Sequence, residues 1–291
     1  MKEYINKESL VATFSIVGAD PNTGELGIAV QSKFLAVGSV VPWAKANVGA
    51  IATQSWANTT YGPEGLNLLE QGYSPNEVVS KLVQDDPGSA FRQFAVINAK
   101  GEVSAYTGED CFDWAGHKIG KNHSAQGNIL ISEETVTAMS ETFEQSEGPL
   151  TERLLAALSA AQKAGGDSRG KQSAAIYVVQ AGAGYGGYND VKVDLRVDDH
   201  PEPIEELARL YKLHQVFFSP SKQKVEIEGN LLNDIKDSLY KKGYLSKVSY
   251  NNYEGEVQDA LRTYALKENF DDRWTEEHSI DLELLTNLKS S

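Results

Sequence analysis

Alternating apolar and polar residues predict several β-strands in the larger, N-terminal part of the chain. Residues 13–18 and 26–32 come first, and the segment 20–24 between them has the proline and glycine of a turn. So short a connection predicts an antiparallel hairpin, because a parallel crossover needs about a dozen residues. Further strands are predicted at residues 48–54, 93–98, 102–107, 124–131, 173–179 and 193–197.

Between the strands, apolar residues recur every three to four positions, which is the period of α-helices. Ser74, Pro75 and Glu77 are typical of a helix start, with Ser74 as the N-cap and Glu77 closing a capping box. Helices are also predicted near residues 66–69, 132–143, 149–164 and 201–213. This order predicts an α/β (α+β) fold, a four-layer αββα sandwich in which two packed sheets carry helices on both outer faces.

The chain turns polar around Ser219 and Lys222, which predicts a boundary between two domains. We predict an N-terminal extension at 1–12, the αββα domain at 13–215, a linker at 216–225 and a small all-helical domain at 226–291. Three amphipathic helices account for the last of these, with apolar residues at 231–240, 257–266 and 280–288.

The charge of the chain excludes some classes of partner. Its 291 residues have a formal net charge of −14, and phosphate backbones and anionic lipid surfaces repel such a protein. We therefore expect neither nucleic acid nor membrane as a partner. No apolar run is long enough to span a bilayer, and residues 1–14 lack the apolar core of a signal peptide. The expected location is cytoplasmic.

Several common catalytic arrangements are missing from the sequence. Cys111 is the only cysteine, so no intrachain disulfide can form; a catalytic role would need a base, for which His117 is the near candidate. The five histidines are scattered, and we expect no metal and no cofactor. The glycine-rich residues 184–187 precede no Lys-Ser/Thr pair, and no Gly-x-Ser-x-Gly elbow occurs.

Thr13 is the main catalytic candidate, because it opens the first strand of the predicted sandwich. In N-terminal nucleophile (Ntn) hydrolases the chain is trimmed so that such a residue becomes the first. Its hydroxyl then attacks a carbonyl, and its freed amine, with a pKa near 8, is the base. However, threonine is also common in ordinary strands, and twelve residues precede Thr13. Either the chain is cleaved there or catalysis does not work this way.

Long segments resemble the domain of unknown function 1028 (DUF1028) family, which is similar to the Ntn hydrolases. The resemblance runs from about residue 13 to 213 and implies the αββα fold without implying an activity. Residues 226–289 resemble, more weakly, a peptidoglycan-binding module. The segments that carry the two resemblances are TFSIVGADPNTGELGIAVQSKFLAVGSVVPWAKANVGAIATQSWAN, YGPEGL, AQGN, GGDSRGKQSAA and GYGGYNDVKVDLRVDDHP, followed by LNDIKDSLYKKGYL and GEVQDALRTYA.

A second similarity suggests residues that support Thr13. The turn from Gly166 to Ser173 is similar to the Asp…Ser turn of proteasome catalytic subunits, which implies supporting roles for Asp167 and Ser173. Lys45 falls near the position of the proteasome's lysine. Arg169 could bind substrate or form a surface ion pair with Asp167, and Arg196 could clamp a carboxylate or neutralise its acidic neighbours. Polar amides at strand ends could bind substrate or satisfy loop backbone: Gln54, Asn58, Gln126 and Asn128.

Two functions follow from these candidates. The first is an Ntn-type amidohydrolase acting on a small amide or peptide-like substrate, with backbone N–H groups as the oxyanion hole. The second is a non-catalytic Ntn-like protein that binds a small ligand or a peptidoglycan fragment. A homo-oligomer, most simply a dimer, is expected in either case. Four apolar residues could form its interface: Phe34, Leu35, Val40 and Val41. The C-terminal module either binds cell wall or serves as a packing domain.

Overall fold

The structure is a computed structural model, and it describes residues 10–11, 13–219, 223–248 and 252–290. The chain divides into two compact units, Met1–Arg209 and Leu210–Ser291. The larger unit is a mixed α/β structure. Most of the predicted 1–12 extension lies outside the described residues.

The strands of the larger unit form two antiparallel sheets. The five-stranded sheet has the order β1-β5-β6-β7, with β4 also paired to β5, and the six-stranded sheet has the order β11-β10-β3-β2-β9-β8. The strands are β1 (Leu10–Val11), β2 (Thr13–Asp20), β3 (Glu25–Ser32), β4 (Pro42–Lys45), β5 (Gly49–Trp56), β6 (Arg92–Asn98), β7 (Val103–Thr107), β8 (Gly116–Gly120), β9 (His123–Gly127), β10 (Ser173–Val179) and β11 (Val191–Val197).

Among the described residues, four helices cover the two sheets from outside, and a fifth follows β11 in the chain. In chain order they are α1 (Tyr61–Glu70), α2 (Pro75–Asp85), α3 (Glu134–Gln145), α4 (Leu150–Lys163) and α5 (Pro203–Phe218). Helices α1 and α2 pack on the five-stranded sheet, while α3 and α4 pack on the six-stranded sheet. Residues from the facing sides of the two sheets, such as Val17, Ile28, Ala50 and Ala95, share one buried apolar cluster.

Two glycines allow α3 and α4 to lie close to the six-stranded sheet. A Cβ at Gly18 would be 3.0 Å from Phe143 of α3, and one at Gly27 would be 2.9 Å from Leu154 of α4. The side chains of Phe143 and Leu154 therefore occupy the space that a side chain at Gly18 or Gly27 would need. Because residues alternate along a strand, Gly18 points to the helices and its neighbour Val17 points to the other sheet.

Most predicted elements are present, with identifiable exceptions. The capping box of α2 is confirmed: Ser74 accepts a hydrogen bond from the Glu77 amide, and the Glu77 carboxylate bonds back to Ser74. The segment predicted as one strand at 124–131 ends at Gly127, and β4 and β8 were not predicted. Helix α5 continues to Phe218, so it includes the start of the predicted linker, and residues 220–222 lie outside the described residues.

The smaller unit is helical but includes a small sheet, so the prediction of an all-helical domain was wrong in that respect. Helices α6 (Gly229–Lys241), α7 (Glu256–Lys267) and α8 (Leu282–Lys289) surround a buried apolar core. Strands β12 (Lys224–Glu226) and β13 (Ser279–Asp281) pair antiparallel. Ile280, predicted as part of the last helix, lies in β13 instead, because Asp281 is the N-cap of α8.

Candidate functional site

Thr13 lies at the start of β2, in the middle of the six-stranded sheet. Its carbonyl oxygen accepts a hydrogen bond of 3.0 Å from the Asn128 amide, and on the other side it pairs with Ser32 of β3. The residue is fully buried, yet its hydroxyl has no hydrogen-bond partner among the described residues. A threonine hydroxyl in this condition has lost water without a replacement, which costs about 1–3 kcal/mol.

Thr13 belongs to a row of four polar residues that crosses adjacent strands. Ser32 pairs with Thr13 on one side and with Ser173 of β10 on the other. On the opposite side, Asn128 continues the ladder in which Gly127 pairs with Phe14. Paired residues project from the same face of a sheet. The row Asn128, Thr13, Ser32 and Ser173 therefore faces the five-stranded sheet, as Val17 does.

Buried amides fill the space between the sheets beside this row. From the five-stranded sheet, Gln54 Nε2 donates to the Thr13 carbonyl at 3.4 Å and to Gln93 Oε1 at 2.8 Å. Gln54 Oε1 accepts from the Ser15 hydroxyl at 2.6 Å, and that hydroxyl accepts from Gln126 Nε2 at 2.8 Å. Both ends of the Gln54 and Gln126 carboxamides are thus used within the protein, since Gln126 Oε1 accepts from Ser124.

Gln93 connects these amides and was not predicted from the sequence. Its Oε1 accepts from Gln54 and from Asn128 Nδ2 at 2.9 Å, and its Nε2 has three further acceptors within hydrogen-bond distance for its two hydrogens. The available signal was a glutamine within the apolar strand segment QFAVIN. Pattern alone gives no reason to prefer Gln54 over Gln93, because both are buried glutamines near an end of an apolar strand segment.

Asp167 fixes the loop that follows β3. Its buried carboxylate accepts from the Lys33 amide at 3.1 Å, from the Arg169 amide at 2.9 Å and from the Arg169 guanidinium. Arg169 and Asp167 therefore form an ion pair of which Asp167 is the buried partner. These bonds occupy Asp167 with loop backbone and with Arg169, rather than with Thr13.

Ser173 also holds this loop. Its hydroxyl donates to the Phe34 carbonyl and accepts from the Val37 amide at 3.1 Å. Asp167 and Ser173 together anchor the segment from Lys33 to Val37, which follows the partner of Thr13 in β3. Both predicted support residues thus lie near Thr13, and the contacts they make are with the neighbouring loop.

Lys45 does not reach Thr13, contrary to the sequence-based expectation. It lies at the end of β4, opposite Gly49 in β5, and its ammonium pairs with Glu70 at 2.6 Å with both side chains about half exposed. Gln54, which contacts the Thr13 carbonyl, is five residues further along β5. At about 3.3 Å per residue this separation is about 16 Å. The correspondence between Lys45 and the proteasome's lysine therefore does not hold, because β4 places Lys45 beside the end of β5 that is far from Gln54.

Two other predicted binding residues also lie apart from Thr13. Arg196 pairs with Asp194 through two hydrogen bonds at the exposed surface, which is the neutralising role. Asn58 Oδ1 accepts a hydrogen bond from the Thr60 amide just before α1, and Asn58 lines a cleft of about 630 Å³ between α1 and α2. In that cleft Asn58 and the Arg92 guanidinium hydrogen-bond to Asp86. Burial alone would raise the pKa of the Asp86 carboxyl. The hydrogen bond from Arg92 nevertheless holds this pKa below its usual value.

Cys111 and His117 do not form a nucleophile–base pair. The Cys111 thiol donates to the Arg92 carbonyl at 3.4 Å, and burial raises its pKa. His117 instead shares a hydrogen bond of 2.9 Å with Thr107, and burial lowers the pKa of its imidazole. A thiol with a raised pKa is less often the reactive thiolate.

Of the apolar residues considered for an oligomer interface, Leu35 is exposed but Val41 is fully buried.

Comparison with known proteins identifies the family. Residues 13–207 match the model of a family of unknown function, DUF1028. The chain belongs to this family. Residues 216–288 match a second family model, described as "Putative peptidoglycan binding domain". The sequence-based assignment is therefore confirmed for both segments.

A solved structure extends this comparison to three dimensions. The crystal structure of protein SPO2555 from Silicibacter pomeroyi, also described by the DUF1028 model, is 35% identical to this chain with a TM-score of 0.64. The match covers 70% of this chain and 89% of that one. Among curated proteins, no match to the chain was found. In the part of this DUF1028 chain that the structure describes, no helix is long and apolar enough to cross a membrane.

Proposed function

We propose that this DUF1028 protein is an Ntn-type amidohydrolase that acts on a small amide or peptide-like substrate. Thr13 is the nucleophile after the chain has been cleaved between residues 12 and 13. The observation that carries the proposal is the Thr13 hydroxyl, which is fully buried and has no partner among the described residues. A buried hydroxyl without a partner calls for an explanation, and at the first residue of the family match we take that explanation to be catalysis.

The architecture supports this proposal. Two sheets pack face to face with α1 and α2 outside one and α3 and α4 outside the other, an arrangement that supports the proposal of an αββα Ntn fold. Thr13 begins a central strand of this arrangement, and the match to the family begins at the same residue. Because strand pairing fixes its position on two sides, the hydroxyl is held on a rigid element.

Cleavage before Thr13 would supply both the base and access to the site. The freed α-amine, with a pKa of about 7.7–8.0, takes the hydroxyl proton as the oxygen attacks a carbonyl. It would also detach β1, whose residues pair with Ser55 and Trp56 next to Gln54. Asp167 and Ser173 act by anchoring the loop after β3, and backbone N–H groups stabilise the oxyanion.

The proposal is tested by the N-terminus of the protein and by a matched pair of variants. Intact mass and N-terminal sequencing of the protein purified from its native host are expected to give a chain that starts at Thr13. Thr13→Ala is expected to stay uncleaved. Thr135→Ala is the control, since Thr135 has an equally buried hydroxyl without a partner among the described residues, in α3. A stable Met1 start, or cleavage of Thr13→Ala as in the wild type, contradicts the proposal.

A second candidate function is binding of cell-wall fragments without catalysis. The observation that favours it is the match of residues 216–288 to the peptidoglycan-binding model. Purified peptidoglycan sedimented with the protein is then expected to retain it. An equal amount of protein left in solution with and without peptidoglycan would exclude this function. Retention together with a Met1 start would favour it over the enzyme.

A further inference from the structure

Gln93 has only one possible orientation of its carboxamide. One end lies 2.7 Å from the Gly127 carbonyl and 3.1 Å from the Gly116 carbonyl, which are acceptors only. That end must therefore be the NH₂ group, since a carbonyl oxygen there would face two other oxygens. The backbone of β8 and β9 thus fixes which way Gln93 points.

This orientation determines the orientation of two neighbouring amides. Because Gln93 Oε1 can only accept, Gln54 and Asn128 must each present their NH₂ group to it, at 2.8 Å and 2.9 Å. The oxygen of each then lies on the opposite side. For Gln54 that oxygen accepts from Ser15. For Asn128, Oδ1 is buried and has no partner among the described residues.

The Asn128 oxygen lies beside the nucleophile. Asn128 is opposite Thr13 across the strand ladder, and paired side chains on one face have Cβ atoms about 5 Å apart. Two buried polar atoms without partners, Thr13 Oγ1 and Asn128 Oδ1, are therefore neighbours. Gln93 prevents the second from turning its NH₂ group toward the site, so this position accepts hydrogen bonds and cannot donate them.

We propose that Asn128 Oδ1 accepts an N–H on the acyl side of the scissile carbonyl, with Gln93 as the residue that positions it. This rests on the proposed function of Thr13. In the proposed reaction the leaving nitrogen must face the base, which is the α-amine of Thr13 itself. The N–H that donates to Asn128 therefore belongs to the acyl group of the substrate. The substrate class is then an N-acylated aminoacyl amide, as in a peptide, in which an N–H lies one carbon from the carbonyl.

A pair of boronic acids tests this without knowledge of the natural substrate. One is an N-acetyl-α-aminoboronic acid, and the other is the same compound with a methyl group in place of the amide hydrogen. On addition, the Thr13 oxygen forms a bond to boron, no bond to boron breaks, and the hydroxyl proton passes to the α-amine. The protein beginning at Thr13 is expected to bind the N–H compound about tenfold more tightly, as one hydrogen bond allows.

Variants show whether Asn128 and Gln93 cause the preference. Asn128→Leu is expected to bring the ratio of the two dissociation constants to about one, and Gln93→Met to lower it, because the Asn128 carboxamide can then turn. The control is Gln180→Met, since Gln180 bonds to the Thr23 carbonyl at the other end of the β2–β3 hairpin. A general loss of structure would weaken both compounds equally and leave the ratio unchanged.

The outcomes separate this inference from the proposed function. Equal affinity for the two compounds in the wild type, or a tenfold preference that survives in Asn128→Leu, overturns the role of Asn128 while a boron adduct on Thr13 still supports the nucleophile. Absence of any adduct on Thr13, measured by mass spectrometry, overturns both. A preference that is lost in Asn128→Leu and reduced in Gln93→Met supports both.

Discussion

The Thr13 hydroxyl and the Asn128 oxygen cost the folded protein stability, because each is buried without a partner among the described residues. At about 1–3 kcal/mol for each group, they take a noticeable share of the roughly 5–15 kcal/mol by which a typical domain is stable. The surrounding amides Gln54, Gln93 and Gln126 are fully bonded by contrast. The Thr13 hydroxyl and the Asn128 oxygen are thus two neighbouring atoms without partners beside three amides that have them.

Ser173 gives a prediction at the residue scale. In Ser173→Ala the Phe34 carbonyl loses its donor and the Val37 amide loses its acceptor. We expect the free energy of unfolding to fall by about 1–3 kcal/mol. Ser39→Ala is the control in the same loop, because the Ser39 hydroxyl donates to the Ala36 carbonyl at the exposed surface. It is expected to cost less than about 0.5 kcal/mol. Urea denaturation measures both, and equal losses would contradict the anchoring role.

The sequence identified the residues near Thr13 but not their contacts. Asp167 and Ser173 were found through the similarity of their turn to that of proteasome catalytic subunits, and Asn128 through its position at a strand end. Their roles could not be predicted, because the loop that they hold comes from a different part of the chain. Lys45 was misplaced for a related reason: counting residues from Thr13 does not show at which end of the sheet β4 pairs.

At the element scale, the β2–β3 turn and the cap of α2 were predicted from the sequence, whereas two strands at sheet edges, β4 and β8, were not. The β2–β3 hairpin and the start of α2 have local signals in Gly24 and in the Ser74 capping box. Strand β4 has no such signal, since its residues PWAK are only partly buried on one edge of a sheet. Strand β8 includes a glycine at each end and alternates between exposed and half-buried residues. Pairing with β9 makes it a strand, and that is a tertiary effect.

The contact between β9 and α3 gives a prediction on pH. His123 is fully buried there, with Nε2 2.8 Å from the Ser140 hydroxyl and Nδ1 3.1 Å from the Lys121 carbonyl. Burial lowers the pKa of His123 below its ordinary value of about 6.5, against a smaller opposing effect of the Lys121 carbonyl and of Glu144. The unfolded chain then binds a proton more readily than the folded one. The stability that neutral His123 contributes is therefore fully present at pH values above about 6.5. It falls as the pH drops below about 6.5, because the unfolded chain then takes up a proton.

Urea denaturation between about pH 7.5 and about pH 5.5 measures this effect. The wild type is expected to lose more free energy of unfolding over this range than His123→Gln, whose side chain does not titrate. His117 is a second group with a pKa lowered by burial, so it adds a loss of the same sign. His117→Gln is therefore the comparison that separates the two contributions. Parallel pH profiles for the wild type and His123→Gln would contradict the prediction.

At the scale of the whole molecule, the two units offer different chemistry. The larger unit carries the candidate nucleophile on a central strand. In the smaller unit, the buried Arg273 guanidinium donates to Asp281 and to the carbonyls of Gln215, Val216 and Ser219 near the end of α5. These bonds satisfy carbonyl groups that a helix end leaves open. The guanidinium is thereby engaged in structure, so it is a poor candidate for binding wall carboxylates.

The net charge predicts how any binding to cell wall depends on salt. The chain carries 27 basic and 41 acidic residues. Residues 220–291, which include most of the peptidoglycan-binding match, also have more acidic than basic side chains. Repulsion between like charges weakens as salt screens it. If the protein binds peptidoglycan, whose stem peptides carry carboxylates, the bound fraction is therefore expected to stay constant or rise from about 50 mM to about 500 mM NaCl. Sedimentation with purified peptidoglycan measures it, with a basic protein that does not cleave peptidoglycan as the control that salt releases. A bound fraction that falls with salt as the control does would mean that a local cluster of lysines or arginines carries the binding, against the acidic balance of the chain.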